Sequence, residues 1–242
     1  MYPNKIDAGD AASSRMIMPA WALSRPKPPV QLLWDLVGAP LRMMILSDRT
    51  AESMHLTSLR AERFAIVLPL LRGRVLDIGA GDNKLIKLYH ERITDKTCNN
   101  NDAFNSVGVD NTDWGADCII IENSASLPFP DRSFDTVCFI ACLNCITNRN
   151  ETLSEANRVL RPGGRIVITM IGPWIGTIGH AIWWRRKDKR RDAHQKPDFG
   201  PGEKTGMGAA EVMVLLEEAH FSLERMEGFC YGLNKLFVAT RI

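Results

Sequence analysis

The sequence predicts an α/β protein built on an open, doubly wound and mostly parallel sheet. Short apolar runs that are typical of buried strands alternate with helical segments along the 242 residues. Two of these runs, 75–78 and 106–110, carry the acids Asp77 and Asp110 near their carboxyl ends, and the first continues into a turn with two glycines. Sheets of this kind bind ligands at the carboxyl ends of their strands, so the acids and the turn predict the functional edge.

The glycine turn has the pattern Asp77-x-Gly79-x-Gly81 and is followed by a helix. Glycines at these positions let the backbone turn sharply and let a ligand approach closer than a Cβ would allow. We therefore expect alanine at either glycine to leave the fold largely intact and to block the ligand. The dinucleotide pattern G-x-G-x-x-G requires a small residue where Lys84 stands, which disfavours NAD and FAD.

Asp110 ends the second predicted strand. In nucleoside-binding folds a carboxylate at this place accepts hydrogen bonds from both ribose hydroxyls, and the alternative is an acid that is merely solvated. Five further strands are predicted by apolar runs, which gives seven in all: 118–121, 134–140, 165–170, 221–228 and 235–242.

The chain is long enough for one domain with a full core and too short for two generous ones. Residues 1–29 are rich in proline and predict a flexible tail. The segment 30–71 predicts a cap of two or three helices over one sheet edge, with Leu32, Leu33, Leu36 and Val37 on one apolar stripe. Residues 30–242 then form a single domain, in which 171–206 is an inserted lid after the fifth strand.

Composition narrows the class of protein. Apolar and charged fractions of 45% and 24% are those of an ordinary soluble protein. A net charge of +2 argues against a globally basic nucleic-acid binder. Six cysteines, several of them in apolar runs, predict buried thiols in a reducing compartment, so we expect a cytoplasmic location.

Four motifs occur in order along the chain. They are Asp77-x-Gly79-x-Gly81, Asp110, the segment Leu127–Asp135 (LPFPDRSFD) and the segment Arg158–Gly164 (RVLRPGG). Together they resemble the class I S-adenosylmethionine-dependent methyltransferases, of the type related to the quinone-biosynthesis methyltransferases. The resemblance implies a seven-stranded Rossmann-like sheet whose last strand is antiparallel, S-adenosyl-L-methionine as cofactor, and methyl transfer to an N, O, S or C nucleophile.

The resemblance also implies which residues bind the cofactor: Asp77, Gly79, Ala80, Gly81, Asp110, Asn111, Asn123, Ser124 and Ala141. Around the expected pocket, the chain departs from the family at three places. Asn83 replaces the third glycine of the turn. Asn123 replaces an acid that reads the adenine amino group, and we expect its side-chain carbonyl to accept that hydrogen bond without charge. Asn144 and Cys145 replace histidines, which excludes a histidine base from this loop.

His180 is the first candidate for a catalytic base, because it follows the fifth strand near the expected pocket mouth; a purely structural histidine is the alternative. Tyr231 and Asn234 are weaker candidates. His220 stands where relatives have glycine after a helix, and we expect it to be left-handed and not catalytic. The pair Cys142-x-x-Cys145 lacks a second pair at zinc spacing, so we expect it to line or pack the pocket and expect no metal.

The segment Trp183–Arg191 joins two tryptophans to a basic run. A solvated lid is favoured, and the alternatives are contact with an anionic substrate, an anionic membrane surface or RNA. The uncharged stretch 166–184 is interrupted by glycine and proline and begins in a strand, so we do not expect it to span a membrane. A small-molecule methyltransferase is the favoured function, ahead of an enzyme acting on RNA or a membrane lipid and of a non-catalytic cofactor-binding protein.

Overall fold

The structure, a computed structural model, describes residues 18–95, 101–174, 176–177 and 202–242. Over these residues the chain forms a seven-stranded sheet. Its strands are β1 (Val75–Ile78), β2 (Val107–Asp110), β3 (Ile119–Ile120), β4 (Phe134–Ile140), β5 (Leu160–Ile171), β6 (Phe221–Phe229) and β7 (Asn234–Arg241).

The strand order is β3-β2-β1-β4-β5-β7-β6, and β7 alone runs antiparallel to its neighbours. This confirms the predicted doubly wound sheet with an antiparallel last strand. β1 pairs with β2 on one side and with β4 on the other, and all four of its residues are buried. The strand that carries the first acid is therefore at the centre of the sheet.

Eight α-helices surround the sheet in the described part of the chain: α1 (Ala20–Leu23), α2 (Pro29–Val37), α3 (Ala39–Met44), α4 (Asp48–Ser53), α5 (Leu59–Val67), α6 (Lys84–Asp95), α7 (Arg149–Val159) and α8 (Ala209–Glu218). They cover two separate hydrophobic clusters. Leu76 of β1 packs in the cluster with α7 and α8, whereas Val75 packs in the cluster with α5 and α6. Side chains alternate across a strand, so β1 contributes to the core on both faces of the sheet.

The junction between α7 and β5 differs from the prediction. The sequence predicts a helix over 150–160 that Arg161–Gly164 ends before the strand at 165, but β5 begins at Leu160. Its register against β4 shifts between the pairs Phe134–Leu160 and Thr136–Arg165, so the proline and glycines form a bulge within the strand. Gly163, with φ of +70°, supplies the left-handed conformation that the bulge needs.

Residues 18–29 are not part of a tail, which corrects the prediction for this stretch. Met18 is 2% exposed and Ala22 is fully buried. Both pack in the cluster that contains Phe64 of α5, so these side chains contribute to the core beneath the helical cap.

The cap has four helices, α2 to α5, where the sequence predicts two or three, and the apolar stripe of α2 lies on its exposed side. Asp35 is buried, whereas Leu33 and Val37 are 63% and 66% exposed. The Asp35 carboxylate accepts hydrogen bonds from the amide and the hydroxyl of Thr57, at 2.8 and 2.7 Å, and pairs with Lys27 at 3.0 Å. Since a buried carboxylate must be paired, these contacts fix the helix with its acid inward.

A buried ionic network holds the cap together. The Glu62 side chain on α5 is 8% exposed and pairs with Arg25 at 3.1 Å, Lys27 at 2.6 Å and Arg42 at 3.1 Å. Lys27 also pairs with Asp35, so five charged side chains form one connected cluster. The network connects α5 both to the segment before α2 and to helix α3.

We expect Glu62→Ala to lower the free energy of unfolding by about 3 kcal/mol, because it leaves Arg42 buried without its carboxylate partner. The control is Glu217→Ala, at an exposed position on α8, which we expect to change stability by less than about 0.5 kcal/mol. Denaturant unfolding measures both. Equal losses in the two variants would contradict a structural role for the network.

Candidate functional site

Two cavities open along the carboxyl edge of β1, β2 and β4. The first has a volume of about 540 Å³ and the second of about 430 Å³, and both are lined by Gly79. The glycine turn after β1 therefore separates two halves of one elongated site. Parallel strands end at this edge, which is where ligands bind in open α/β sheets.

All the residues expected to bind a cofactor line one cavity or the other. The first cavity, which we call the β2-side cavity, is lined by Gly79, Asp110, Asn111, Asn123 and Ser124. The second, which we call the α5-side cavity, is lined by Asp77, Gly79, Ala80, Gly81 and Ala141.

Asp110 is fixed by the backbone at the end of β2. Its Oδ2 accepts a hydrogen bond from the Gly81 amide at 2.9 Å, and its Oδ1 accepts one from the Thr112 amide at 3.0 Å. Each carboxylate oxygen has a further lone pair, so Asp110 remains able to accept two hydrogen bonds from a ligand in the β2-side cavity. The same contacts tie the glycine turn to β2.

Asp77 is the most unusual group of the site. The residue is 3% exposed, and its Oδ1 has no hydrogen-bond partner in the described part of the chain. Burial raises the pKa of the carboxyl to about 8; Arg60 opposes the rise, and the nearby charges of Asp110 and Asp82 add to it. A buried oxygen without a partner beside a cavity is suited to a ligand that donates a hydrogen bond or carries positive charge.

Arg63 of α5 lines the same cavity and has no ion pair among the described residues. Its Nε and Nη2 donate to Oδ1 of Asn234, at 3.3 and 3.2 Å, and burial lowers the pKa of the guanidinium. The α5-side cavity thus contains a cation without a carboxylate partner. Arg63 was not predicted from the sequence. Its spacing of one helical turn from Arg60, which pairs with Asp82 beside the glycine turn, is the signal that could have identified it.

The weaker base candidates have structural contacts. Asn234 is fully buried and holds Arg63 through its carbonyl oxygen. The Tyr231 hydroxyl accepts a hydrogen bond from Nη2 of Arg42 at 3.1 Å, which attaches the β6–β7 turn to the cap.

The two glycines of the turn have different roles. Gly79 has φ of +73°, and a Cβ on it would lie 2.7 Å from Cβ of Cys142. Gly81 has φ of +57°, and nothing lies within 4 Å of a Cβ there. The expectation that both glycines serve only the ligand is therefore wrong for Gly79, which the fold itself requires.

Asn83 explains why the third glycine is dispensable. Its φ is +56°, so it adopts the left-handed conformation that glycine usually provides, and its Nδ2 donates to the Asp117 carbonyl. Asparagine tolerates this region better than most residues. His220 likewise has φ of +60° after α8, which confirms its expected conformation.

Asn123 does not present a free carbonyl to the β2-side cavity, contrary to the prediction. Its Oδ1 accepts from the Ala125 amide at 2.9 Å and from Nδ2 of Asn148 at 2.8 Å. Both lone pairs are used, so the Nδ2 donor of Asn123 is the group available to a ligand. Asn148 also lines this cavity, and the sequence analysis missed it; its position before α7 was the available signal.

Cys142 and Cys145 line the β2-side cavity as protonated thiols. The Cys142 Sγ–H donates to the Ile78 carbonyl at 2.9 Å, and burial raises the pKa of both thiols. Within the described ranges no group of three or more His, Cys, Asp or Glu side chains could hold a metal ion.

The end of the predicted lid packs on the site. The Lys204 amide donates to the Asn144 carbonyl and the Asn144 Nδ2 donates to the Lys204 carbonyl, both at 2.9 Å, while Glu203 lines the β2-side cavity. Asn144 therefore anchors this segment. His180 and the basic run 183–191 lie outside the described residues. None of the helices described here has the length and apolar character needed to cross a bilayer.

Residues 76–168 match the methyltransferase domain family, and this segment contains the glycine turn, Asp110 and β1 to most of β5. The sheet order and the divided cavity fit that assignment. Over residues 76–168 the chain is thus similar to a methyltransferase domain, its sheet has the Rossmann-like order, and the family and the fold imply S-adenosylmethionine as the cofactor.

Two curated relatives are similar over part of their length. The 27-O-demethylrifamycin SV methyltransferase of Amycolatopsis mediterranei is 31% identical over 150 residues, which are 57% of this chain and 53% of that protein. The ubiquinone/menaquinone biosynthesis C-methyltransferase UbiE of Vibrio campbellii is 32% identical over 103 residues, 39% of this chain and 40% of that protein. The chain thus spans about half or less of the length of these relatives.

A solved structure shows the same fold. The S-adenosylmethionine-dependent methyltransferase from Mesorhizobium loti superposes with a TM-score of 0.54 at 15% identity, covering 74% of this chain and 98% of that one. The likeness concerns the fold, since the sequences have diverged.

Alanine at the two glycines separates their roles. We expect Gly81→Ala to cost about 1 to 2 kcal/mol of stability, the price of a left-handed alanine. Gly79→Ala should cost about 3 kcal/mol, because its Cβ also overlaps Cys142. Denaturant unfolding measures the difference in the free energy of unfolding. Equal losses in the two variants would mean that the Cys142 side chain moves aside without destabilising the protein.

Proposed function

We propose that the chain binds S-adenosylmethionine across both cavities and transfers its methyl group to a small-molecule nucleophile. The observation that carries the proposal is the pair of polar groups in the α5-side cavity that lack an ionic partner among the described residues. Among the described residues, Asp77 has a buried oxygen without a hydrogen-bond partner, and Arg63 is a half-buried cation without an ion pair. The amino-acid end of the cofactor carries an ammonium and a carboxylate, which complement these two groups.

In the α5-side cavity Asp77 accepts from the ammonium and Arg63 donates to the carboxylate. Gly81, where a Cβ would meet nothing, lets the cofactor approach the backbone, and Ala80 and Ala141 border the same space. The charges of the cofactor would thereby satisfy both groups that the protein leaves without an ionic partner.

In the β2-side cavity Asp110 accepts hydrogen bonds from the two ribose hydroxyls. Asn111, Asn123 and Ser124 border the adenine. Asn123 donates through Nδ2 to a ring nitrogen instead of accepting from the amino group, because its carbonyl is engaged by Ala125 and Asn148. We infer weaker selection for adenine than an acid at this position would give.

The bound sulfonium supplies an electrophilic methyl group, which an N, O, S or C nucleophile displaces in line. The protein contributes alignment and exclusion of water, and a base is needed only where the nucleophile holds its proton tightly. We keep His180 as the proposed base. The residues described here that line the cavities do not include a histidine.

The proposed substrate is a small molecule, in line with the rifamycin and quinone compounds in the names of the relatives. An anionic substrate would suit the basic segment 183–191. Cys138 and Cys230 are buried free thiols, which supports the proposed reducing, cytoplasmic compartment.

Incubation of cell extracts with the protein and deuteromethyl-labelled cofactor, followed by untargeted mass spectrometry, tests the reaction. We expect a labelled small molecule that is absent when Asp110→Ala replaces the wild-type protein. Tight cofactor binding without any labelled product would favour the non-catalytic alternative. A label found only in RNA or lipid would move the substrate to those classes.

Calorimetry with two ligands tests the assignment of the cavities. S-adenosylhomocysteine has the amino-acid end, and 5′-methylthioadenosine lacks it. We expect Asp110→Ala to weaken both ligands by about 1.5 to 3 kcal/mol, and Arg63→Met to weaken only S-adenosylhomocysteine by a similar amount. The control is Arg225→Met on β6, whose side chain is 50% exposed and which should bind as the wild type does.

Thermal unfolding establishes that each variant is folded, since Asp110 also accepts from the Gly81 and Thr112 amides. If Arg63→Met weakens both ligands equally in a folded protein, the amino-acid end does not lie in the α5-side cavity.

A further inference from the structure

The outward face of α2 is almost entirely apolar. Val30, Leu33 and Val37 are 80%, 63% and 66% exposed, and their spacing of three and four residues places them on one side of the helix. The neighbouring positions are apolar and exposed as well: Leu32, Trp34 and Leu36. A helix of a water-soluble protein normally directs such a stripe toward the core, so this orientation requires an explanation.

The buried contacts of α2 fix the orientation. Turning the helix to bury Leu33 would expose Asp35, whose carboxylate holds Thr57 and Lys27. The end of the helix is equally fixed, because a Cβ on Gly38 would lie 2.3 Å from a Leu56 methyl carbon. The apolar face is thus presented by the same interactions that stabilise the cap.

Among the described residues of this region, the face also lacks exposed charge and free hydrogen-bond donors. Residues 26–46 contain three charged side chains, and those of Lys27, Asp35 and Arg42 are 5%, 2% and 1% exposed. The Trp34 indole N–H donates to the Met54 carbonyl at 3.1 Å, and the Gln31 amide donates to the Asp35 carboxylate and the His55 carbonyl. The outward surface of α2 therefore has no charged or hydrogen-bonding groups that need water or a polar partner.

We propose that α2 docks the protein on the surface of a lipid bilayer, with the helix lying in the interfacial plane. A protein partner of ordinary interface size would form about ten hydrogen bonds across the contact, and this face offers no partners for them. The boundary between lipid headgroups and acyl chains requires no hydrogen bonds from the protein, and an apolar helical face with a tryptophan is suited to lie there. The inference concerns α2 alone and does not rest on methyl transfer.

The experiment is co-sedimentation of the full chain with vesicles of phosphatidylcholine, which has no net charge. We expect the wild-type protein to bind at both low and high salt, since the contact is apolar. Leu33→Gln together with Val37→Gln should reduce the partition coefficient about tenfold or more, because two buried side chains are removed from the contact. The matched control is Val214→Gln with Leu223→Gln, at positions 52% and 38% exposed on α8 and β6, which should bind as the wild type does.

Three results would overturn the proposal. The first is no binding of the wild-type protein to these vesicles. The second is binding that requires anionic lipid and disappears in high salt, which would indicate the basic run 183–191. The third is a dimer that forms without vesicles and is lost in the Leu33→Gln, Val37→Gln protein, which would assign the face to a second copy. Thermal unfolding verifies that both double variants are folded.

Discussion

The burial of the Asp77 carboxyl at the centre of the sheet is the constraint on which the site depends. β1 lies between β2 and β4, so the acid is withdrawn from water on both sides, and its pKa rises to about 8. Within the part of the chain that the structure describes, one oxygen of this group has no hydrogen-bond partner. The glycine turn after β1 then opens the backbone beside it, and Asp110 fixes the turn through the Gly81 amide.

The helical cap is coupled to this edge of the sheet. Arg63, which lines the same cavity as Asp77, belongs to α5. The neighbouring Glu62 anchors α5 in the ionic network with Arg25, Lys27 and Arg42. Asn234 of β7 holds the Arg63 guanidinium from the other side. The position of Arg63 thus depends on two elements far apart in the sequence, and the network that stabilises the cap also holds the helix that carries this cation.

The sequence predicts the strands and the acids at their ends, because each is encoded in a local run of residues. The antiparallel direction of the last strand is implied only by the resemblance to the methyltransferases. Prediction from the sequence fails where a contact with a residue distant in the sequence determines the conformation or the available hydrogen-bonding group. The orientation of α2 follows from Asp35 meeting Thr57, and the carbonyl of Asn123 is occupied by Asn148. The same holds for Gly79, whose need for a missing Cβ comes from Cys142 on the neighbouring strand end. The spacing of apolar residues along the chain contains no information about such contacts between residues distant in sequence.

The most direct test is the pH dependence of S-adenosylhomocysteine binding measured by calorimetry. A carboxyl with a pKa of about 8 must lose its proton to pair with an ammonium, so affinity should rise between about pH 6 and pH 8, by close to tenfold per pH unit. Asp77→Asn should bind more weakly at pH 8 and show no such rise. A flat profile in the wild-type protein, or the same slope in the folded Asp77→Asn variant, would contradict the role of Asp77.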